Sequence, residues 1–142
     1  MEILLKRQNE AVHLVAENEL GNEVSIDGSP AIGGKNKGAR PMELLLMGLG
    51  GCSSMDIISI LKKMKVEVGE YDVKITAERD KDNTPSLFTA IHVEFIVETH
   101  EENKDKVMKA INLSMDKYCS VTKILEKTAT ITHELTLKPA TW

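Results

Sequence analysis

The sequence predicts an α+β protein in which three strands are followed by a long helix, two strands, two helices and a last strand. Apolar and polar residues alternate in short runs near the N-terminus and again in residues 71–100 and 128–138, which is typical of strands. Residues 41–66 and 102–127 carry apolar residues at spacings of three and four, which is typical of helices. Strands and helices grouped in this order indicate the α+β class.

The N-terminal segment predicts a β meander over residues 1–28, followed by a loop over residues 29–40. The strand runs EILLKR, AVHLVAEN and NEVSIDG are separated by the polar segment QNE and by an LGN turn. The loop SPAIGGKNKGAR combines proline, glycine and basic residues. A long ordered loop in a compact domain is often functional, but a flexible connector is an equally good interpretation of this composition.

Residues 41–66 predict a central helix that carries a cysteine. Pro41 suits the first turn of a helix, where its missing N–H costs nothing. One face of this helix is predicted to hold Leu45, Leu49, Cys52, Met55 and Ser59. Further apolar residues at 57, 58, 60 and 61 widen the apolar surface beyond one stripe. A helix that is apolar on most sides is expected to lie at the centre of its protein.

The C-terminal half predicts the order ββααβ over residues 70–138. Its strands are YDVKITAERD, LFTAIHVEFIVETH and TATITHELTLK, with DNTP as a hairpin turn between the first two. A helix is predicted over residues 102–118, and a short helix begins at Cys119. The chain of 142 residues has the length of one domain, so we expect a single domain over residues 1–142.

Composition limits the function classes. The net charge of −4 carries no basic footprint of the kind that nucleic-acid binding requires. The start MEILLKRQNE does not resemble a secretory signal, and no apolar stretch is expected to span a membrane. We therefore expect a cytoplasmic protein with no nucleic-acid or membrane partner. In that compartment two cysteines are more often catalytic, metal-binding or simply buried than joined in a permanent disulfide.

The settings of the two cysteines favour redox chemistry over simple burial. Cys52 lies in GGCSS, where the glycines would loosen the helix and give the thiolate a fresh helix N-terminus. Cys119 lies where one helix ends and another begins, with Ser120 or Thr122 as possible caps. Two buried cysteines acting as small hydrophobic residues are the common alternative.

Other chemistries fit the sequence less well. The four histidines are dispersed and give no zinc-site spacing, so no metal is expected. The GLGGCS segment is not followed by the Gly-Lys-Ser/Thr of a phosphate loop. A Cys–His hydrolase stays open, because a histidine that is distant in sequence can approach a cysteine in space.

Two motifs carry a family resemblance. ARPMELLLMGLGGCSSMDI and the later YCSVTKILEKTATITHELTL together resemble the OsmC/Ohr family of osmotically inducible and organic-hydroperoxide-resistance proteins. The P-x-E-L-L start and the LGGC form are closest to its YhfA-like branch. The resemblance implies an OsmC-like fold: an intertwined homodimer in which antiparallel sheets enclose central helices and each active site lies at the dimer interface. In such a dimer, Gly48, Gly50 and Gly51 would let central helices approach closely.

The resemblance also implies a thiol-dependent peroxidase without metal or other cofactor. Cys52 would attack an organic hydroperoxide, Cys119 would resolve the sulfenic acid as a disulfide, and an external dithiol would reduce that disulfide. Family members place a glutamate ten residues before the first cysteine, but that position is Met42 here, and Glu43 follows it. They also bring a guanidinium to the site, for which Arg40 is the better candidate and Arg7 the other.

A second function stays open at this stage. On the same fold, the cavity at the interface would bind a small apolar ligand or a thiol metabolite without catalysis. The shifted glutamate favours this binding protein, and the retained cysteine pair favours the peroxidase.

Overall fold

The structure, a computed structural model, describes all 142 residues. The predicted α+β class is confirmed. The strands are β1 (Ile3–Arg7), β2 (Leu14–Asn18), β3 (Glu23–Ile26), β4 (Tyr71–Arg79), β5 (Phe88–Thr99) and β6 (Thr130–Pro139). The α-helices are α1 (Pro41–Lys63), α2 (Lys104–Leu113) and α3 (Ser120–Leu125). The chain divides into two compact units, Met1–Met47 and Gly48–Trp142, and α1 continues from the first into the second.

The first unit contains the predicted meander, an antiparallel sheet in the order β1-β2-β3. Strand β2 begins at Leu14, three residues later than the sequence predicts. The reason is local, because the Asn9 side-chain oxygen accepts hydrogen bonds from the backbone N–H groups of Ala11 and His13. Such a turn uses the backbone groups that an earlier strand start would have paired.

The loop over residues 29–40 is held in place by a buried carboxylate. Asp27 is 1% exposed, and its side chain accepts hydrogen bonds from the backbone N–H groups of Gly28, Lys35 and Lys37. The bonds from Lys35 and Lys37 are the main cause that lowers the pKa of Asp27 below its usual value. The loop also contains a short 3₁₀ turn at Pro30–Ile32. Three donors on one carboxylate indicate an ordered loop, which the connector interpretation did not foresee.

The second unit is built on the sheet β4-β5-β6, whose central strand is its most buried. Strands β4 and β5 form the predicted antiparallel pair, but β5 and β6 run parallel. The expectation of purely antiparallel sheets therefore needs correction for this pair. Parallel strands require a long crossover connection, and the segment between β5 and β6 contains α2 and α3.

From Gly48 onward, the buried stripe of helix α1 shares only Leu49 with the predicted one. The buried residues from Gly48 onward are Leu49, Ser53, Ile57 and Leu61, whereas Met55 is 75% exposed. Both stripes are apolar, so the 3.6-residue period alone could not select between them. The helix ends at Lys63, before the predicted residue 66, because Lys65 adopts a left-handed conformation with φ of 59°.

By length and composition, α1 would also be able to cross a membrane, contrary to the sequence expectation. The core helix of a soluble protein meets the same criterion, so this property does not distinguish between the two environments.

The predicted helix over residues 102–118 is interrupted. A 3₁₀ turn at Glu101–Asn103 leads into α2, and a π-helical turn at Ser114–Tyr118 follows it. This five-residue segment, called the π-turn below, ends directly before Cys119, which is the N-cap of α3. Single π-turns inside helices are frequent at functional sites.

Candidate functional site

Cys52 lies in the middle of a regular helix. It is the twelfth residue of α1, which continues without a break through the glycines before it. The expectation that Gly50 and Gly51 loosen the helix and give Cys52 a fresh N-terminus is therefore wrong. The Cys52 side chain is partly exposed, so a small molecule can reach it in the isolated chain.

The hydroxyl groups after Cys52 are committed to other partners. Ser53 is buried and donates to the carbonyl oxygen of Leu49 at 2.8 Å, one turn earlier in α1. Ser54 accepts a hydrogen bond from the Tyr71 hydroxyl at 3.1 Å. The Ser54–Tyr71 contact joins α1 to β4, whereas the Ser53 bond lies within α1. Both serines therefore have structural roles beside the thiol.

Cys119 is fully buried at the N-cap of α3. Its sulfur accepts a hydrogen bond from the backbone N–H of Thr122 at 3.4 Å. The cap is thus the thiol itself, in place of the predicted Ser120 or Thr122. The backbone N–H of Cys119 donates to the carbonyl of Ser114 at 2.8 Å, which closes the π-turn and sets the direction in which the thiol leaves the chain.

The fold brings the two thiols together although they are 67 positions apart in the sequence. The sulfurs of Cys52 and Cys119 and a carboxylate oxygen of Asp56 all lie within 4.8 Å of one another. Both cysteines are free thiols in this structure. A disulfide requires about 2.05 Å between its sulfurs, so the pair lies within a short movement of bonding distance.

The electrostatics of the site separate the two thiols. Burial raises the pKa of the Cys119 thiol above its usual value, and the neighbouring Cys52 thiol adds to this rise. Hydrogen bonding from Thr122 acts in the opposite direction and offsets only part of the effect. Cys119 is therefore held mainly as a protonated thiol at neutral pH, which makes it a poor nucleophile until a group removes its proton.

Arg40 and Glu43 lie at the start of α1, where the structure gives them a capping contact. The backbone N–H of Arg40 donates to the Glu43 carboxylate at 2.8 Å. This is the reciprocal half of a capping box, in which the third helical residue satisfies the N-cap N–H. Glu43 therefore has a structural role that the sequence reading did not assign to it.

The three histidines of the second unit have partners other than the thiols. The His100 ring packs edge-to-face against Trp142, with ring centroids 5.5 Å apart. His92 contacts Thr132 and Glu134, and His133 contacts Asn112. These are side-chain contacts on the sheet and on α2. A Cys–His hydrolase is not supported by this arrangement, because none of the three hydrogen-bonds a sulfur.

Cys52, Asp56 and Cys119 form the one set of residue types in this fold that could ligate a metal. They supply two sulfurs and one carboxylate. A closed structural zinc site has four protein ligands, so the set is one ligand short of such a site. The two sulfurs are also the groups that dithiol chemistry requires.

Sequence reasoning missed Asp56 and Ser114. Asp56 follows Cys52 by four residues in α1, so the helical period could have placed it on the same side of the helix. Its partner was not visible: the Ser114 hydroxyl donates to the Asp56 carboxylate at 3.0 Å, a contact across 58 positions. No local pattern reveals such a pair.

The fold and the adjacent thiols define a small α+β dithiol protein, and comparison with known proteins places it in a family. A profile described as OsmC-like protein matches residues 34–134. The chain is 40% identical over 124 residues to Protein YhfA of Escherichia coli (strain K12), across 87% of this chain and 89% of that protein. The chain therefore belongs to the OsmC-like family, and the predicted resemblance is confirmed.

Solved structures share this fold. A structure from structural genomics is 36% identical with a TM-score of 0.84, and the match covers 99% of this chain and 100% of that chain. The organic hydroperoxide resistance protein OhrB of Bacillus subtilis is 20% identical with a TM-score of 0.63, and the match covers 95% of this chain and 96% of that chain. At the latter identity the likeness shows the shared fold alone.

Proposed function

We propose that the protein is a two-cysteine peroxidase that reduces organic hydroperoxides. The observation that carries this proposal is the closeness of Cys52 and Cys119, whose sulfurs lie within 4.8 Å of each other. One thiol is partly exposed and the other is buried, which is the arrangement that an attacking and a resolving thiol need. An organic hydroperoxide resistance protein on the same fold supports this choice of substrate.

The first step belongs to Cys52. Its thiolate attacks the distal oxygen of the hydroperoxide, the O–O bond breaks, and the alkoxide takes a proton and leaves as the alcohol. Cys52 is oxidised to a sulfenic acid. The partly exposed position of Cys52 permits this approach, whereas Cys119 is fully buried.

The second step belongs to Cys119. Its thiolate attacks the Cys52 sulfur, the S–O bond breaks, and water leaves once the hydroxide has gained a proton. The product is a Cys52–Cys119 disulfide, which an external dithiol reduces by thiol–disulfide exchange. Neither step requires a metal or an organic cofactor, in line with the sequence expectation.

We also propose that the working form is the intertwined homodimer of the sequence expectation. The exposed apolar residues of α1 support this assembly, because a single chain leaves them in water. They are Leu45, Met47, Met55 and Ile58. The cytoplasmic location belongs to the same proposal, since the two cysteines would stay reduced there between turnovers.

Arg40 and Glu43 enter the proposal as residues whose influence on Cys52 is to be measured. A guanidinium near a thiolate lowers the pKa of the thiol, and one pKa unit corresponds to about 1.4 kcal/mol. Arg40→Ala keeps the backbone N–H that Glu43 accepts from. A measured pKa of the Cys52 thiol that is higher in Arg40→Ala than in the wild type would support the role of Arg40. An unchanged pKa would mean that Arg40 has only its capping contact with Glu43.

The proposal is tested with cysteine variants and one equivalent of cumene hydroperoxide. Cys52→Ser is expected to abolish peroxide consumption. Cys119→Ser is expected to complete one turnover and to retain a sulfenic acid on Cys52 that dimedone traps. The matched variant Ser120→Ala, next to Cys119 but exposed, is expected to turn over like the wild type.

Two results would overturn the proposal. If the two cysteine variants exchange their behaviour, the roles of the thiols are reversed. If the wild type consumes no alkyl hydroperoxide in the presence of a dithiol, the protein is not a peroxidase, and the non-catalytic binding function takes its place.

A further inference from the structure

Asp56 is unexplained by the chemistry of Cys52. A carboxylate beside a thiol disfavours the thiolate by like-charge repulsion, so Asp56 does not help the attacking cysteine to ionise. A carboxylate oxygen of Asp56 nevertheless lies within 4.8 Å of both sulfurs. Asp56 does not assist the attack by Cys52, but it lies beside Cys119. We therefore expect it to act in the step that Cys119 performs.

The position of Asp56 is fixed from two sides. Along α1 it follows Cys52 by one helical turn, so both side chains leave the same side of the helix. Across the fold, the hydroxyl of the fully buried Ser114 donates to the Asp56 carboxylate at 3.0 Å. Ser114 also lies 3.2 Å from the carbonyl oxygen of Ser53, so the same hydroxyl joins the π-turn to α1 beside the thiols.

The π-turn connects Asp56 to Cys119. Ser114 begins this segment and holds the carboxylate, and its carbonyl accepts the backbone N–H of Cys119 just beyond the end of the segment. The relative placement of the carboxylate and the buried thiol is therefore set by five residues. A separation of up to 4.8 Å permits proton transfer either directly after a small approach or through one bridging water.

We propose that Asp56 is the general base that deprotonates Cys119 as the disulfide closes, and the acid that returns this proton to the departing hydroxide. This inference rests on the proposed two-cysteine function. The Cys119 proton passes to the carboxylate, the Cys119 thiolate forms the S–S bond with Cys52, and the S–O bond of the sulfenic acid breaks. The proton on Asp56 then completes the leaving water, so the step consumes no external acid or base.

Among the groups beside Cys119, Asp56 is the one that can accept its proton. Cys119 is buried, and its raised pKa means that removal of its proton needs assistance. The groups that face the Cys119 sulfur are the Cys52 thiol, the N–H and the hydroxyl of Thr122, and the Asp56 carboxylate. Only the carboxylate among them is a base. Asp56 takes part in none of the four salt bridges of the chain, so no cation competes for its oxygens.

The test isolates the closing step from the peroxidase reaction. An aromatic disulfide reagent, 5,5′-dithiobis(2-nitrobenzoate), is added in equimolar amount to the reduced protein. Attack by Cys52 releases one thionitrobenzoate, and closure by Cys119 releases the second, so the two rates are read from one absorbance trace. Because thionitrobenzoate leaves as a stable anion, the second phase reports the removal of the Cys119 proton without the return of a proton.

Asp56→Asn is expected to leave the first phase unchanged or faster and to slow the second at least tenfold at pH 7. The difference in second-phase rate between this variant and the wild type is expected to become smaller as the pH rises, because solvent hydroxide then removes the Cys119 proton in place of the carboxylate. Asp56→Glu, which keeps a carboxylate, is expected to recover part of the rate. Asp116→Asn removes the same charge at an exposed position of the π-turn and is expected to match the wild type in both phases.

The following outcomes would overturn the inference. One is a second phase in Asp56→Asn within twofold of the wild type across the pH range. Another is a second phase in Asp56→Asn that is slower than that of the wild type by the same factor at every pH, which would indicate a structural effect. A wild type that shows no second phase also overturns it. With cumene hydroperoxide, a wild type that consumes no peroxide refutes the peroxidase function alone, since the reagent-based test does not depend on peroxide.

Discussion

The two faces of helix α1 have similar chemistry and opposite surroundings. Ile57 is fully buried, whereas the adjacent Ile58 is 52% exposed and Met55 is more exposed still. The buried face also carries Leu49 and Leu61 and belongs to the core of the chain itself. The other face also carries apolar residues, but nothing in the isolated chain covers them. Apolar character therefore identifies a helix that needs covering, without saying which molecule covers each side.

The reactive groups lie at the border between these faces. Cys52 and Asp56 are partly exposed and flank Ser53, which is fully buried. A thiol at such a border can meet a substrate on one side and a buried partner, Cys119, on the other. The same border would become enclosed if a second chain covered the exposed face, and enclosure strengthens electrostatic interactions in a site.

The largest effect is expected from the adjacent isoleucines. Ile57→Ala creates a cavity in the core and is expected to lower the free energy of unfolding by about 2–5 kcal/mol. Ile58→Ala removes the same atoms from an exposed position and is expected to cost clearly less. Chemical denaturation at a fixed protein concentration measures both values. A loss at Ile58 as large as that at Ile57 would mean that another molecule, such as the second chain of the proposed homodimer, covers the exposed face in solution.

Much of the fold followed from the sequence, because it rests on local periodicity. The meander, the hairpin β4–β5 and the helices were all predicted from patterns of two or of 3.6 residues. The parallel pairing of β5 with β6 was missed, since strand direction depends on the path of the connection and not on the strand. Of the stripe predicted on α1, Leu49 is buried but Met55 is exposed, because two apolar stripes give the same periodic signal.

The site was predicted in part for the same physical reason. Cys52 and Cys119 were selected from their local settings and from the family resemblance, and the structure brings them together. The contact between Asp56 and Ser114 was not predicted from the sequence. It depends on the π-turn, which contains one residue more than a regular helical turn. The break predicted at Gly50 did not occur, because a cost of about 0.5–1 kcal/mol per glycine does not interrupt a helix that other contacts hold.

A smaller effect is expected on self-association. Met55→Lys places a charge at the most exposed apolar position of α1 within the second unit and is expected to weaken the proposed homodimer at least tenfold, or about 1.4 kcal/mol. Sedimentation equilibrium measures the dissociation constant. Thr128→Lys adds the same charge at an exposed turn and is expected to leave the dimer intact. If the wild type is monomeric, or if it sediments with added lipid vesicles, the exposed face of α1 is covered by something other than a second copy of the chain.

The smallest effect concerns the glycines. A Cβ added at Gly51 would meet no atom within 4 Å in the single chain, whereas one at Gly50 would lie 3.1 Å from the Ile75 side chain. In an isolated helix, Gly51→Ala would therefore stabilise by about 0.5–1 kcal/mol. If the exposed face receives a second helix closely, the added methyl group separates the two helices.

We expect this second effect to prevail, so that Gly51→Ala weakens the dimer about fivefold, or about 1 kcal/mol. Gly50→Ala is expected to change the dissociation constant by less than twofold, because its neighbour belongs to the same chain. Sedimentation equilibrium of both variants measures their dissociation constants and shows whether a second helix packs against the Gly51 side of α1. A Gly51→Ala protein with a higher melting temperature and an unchanged dissociation constant would show that no helix approaches there, and the glycine would then need another explanation.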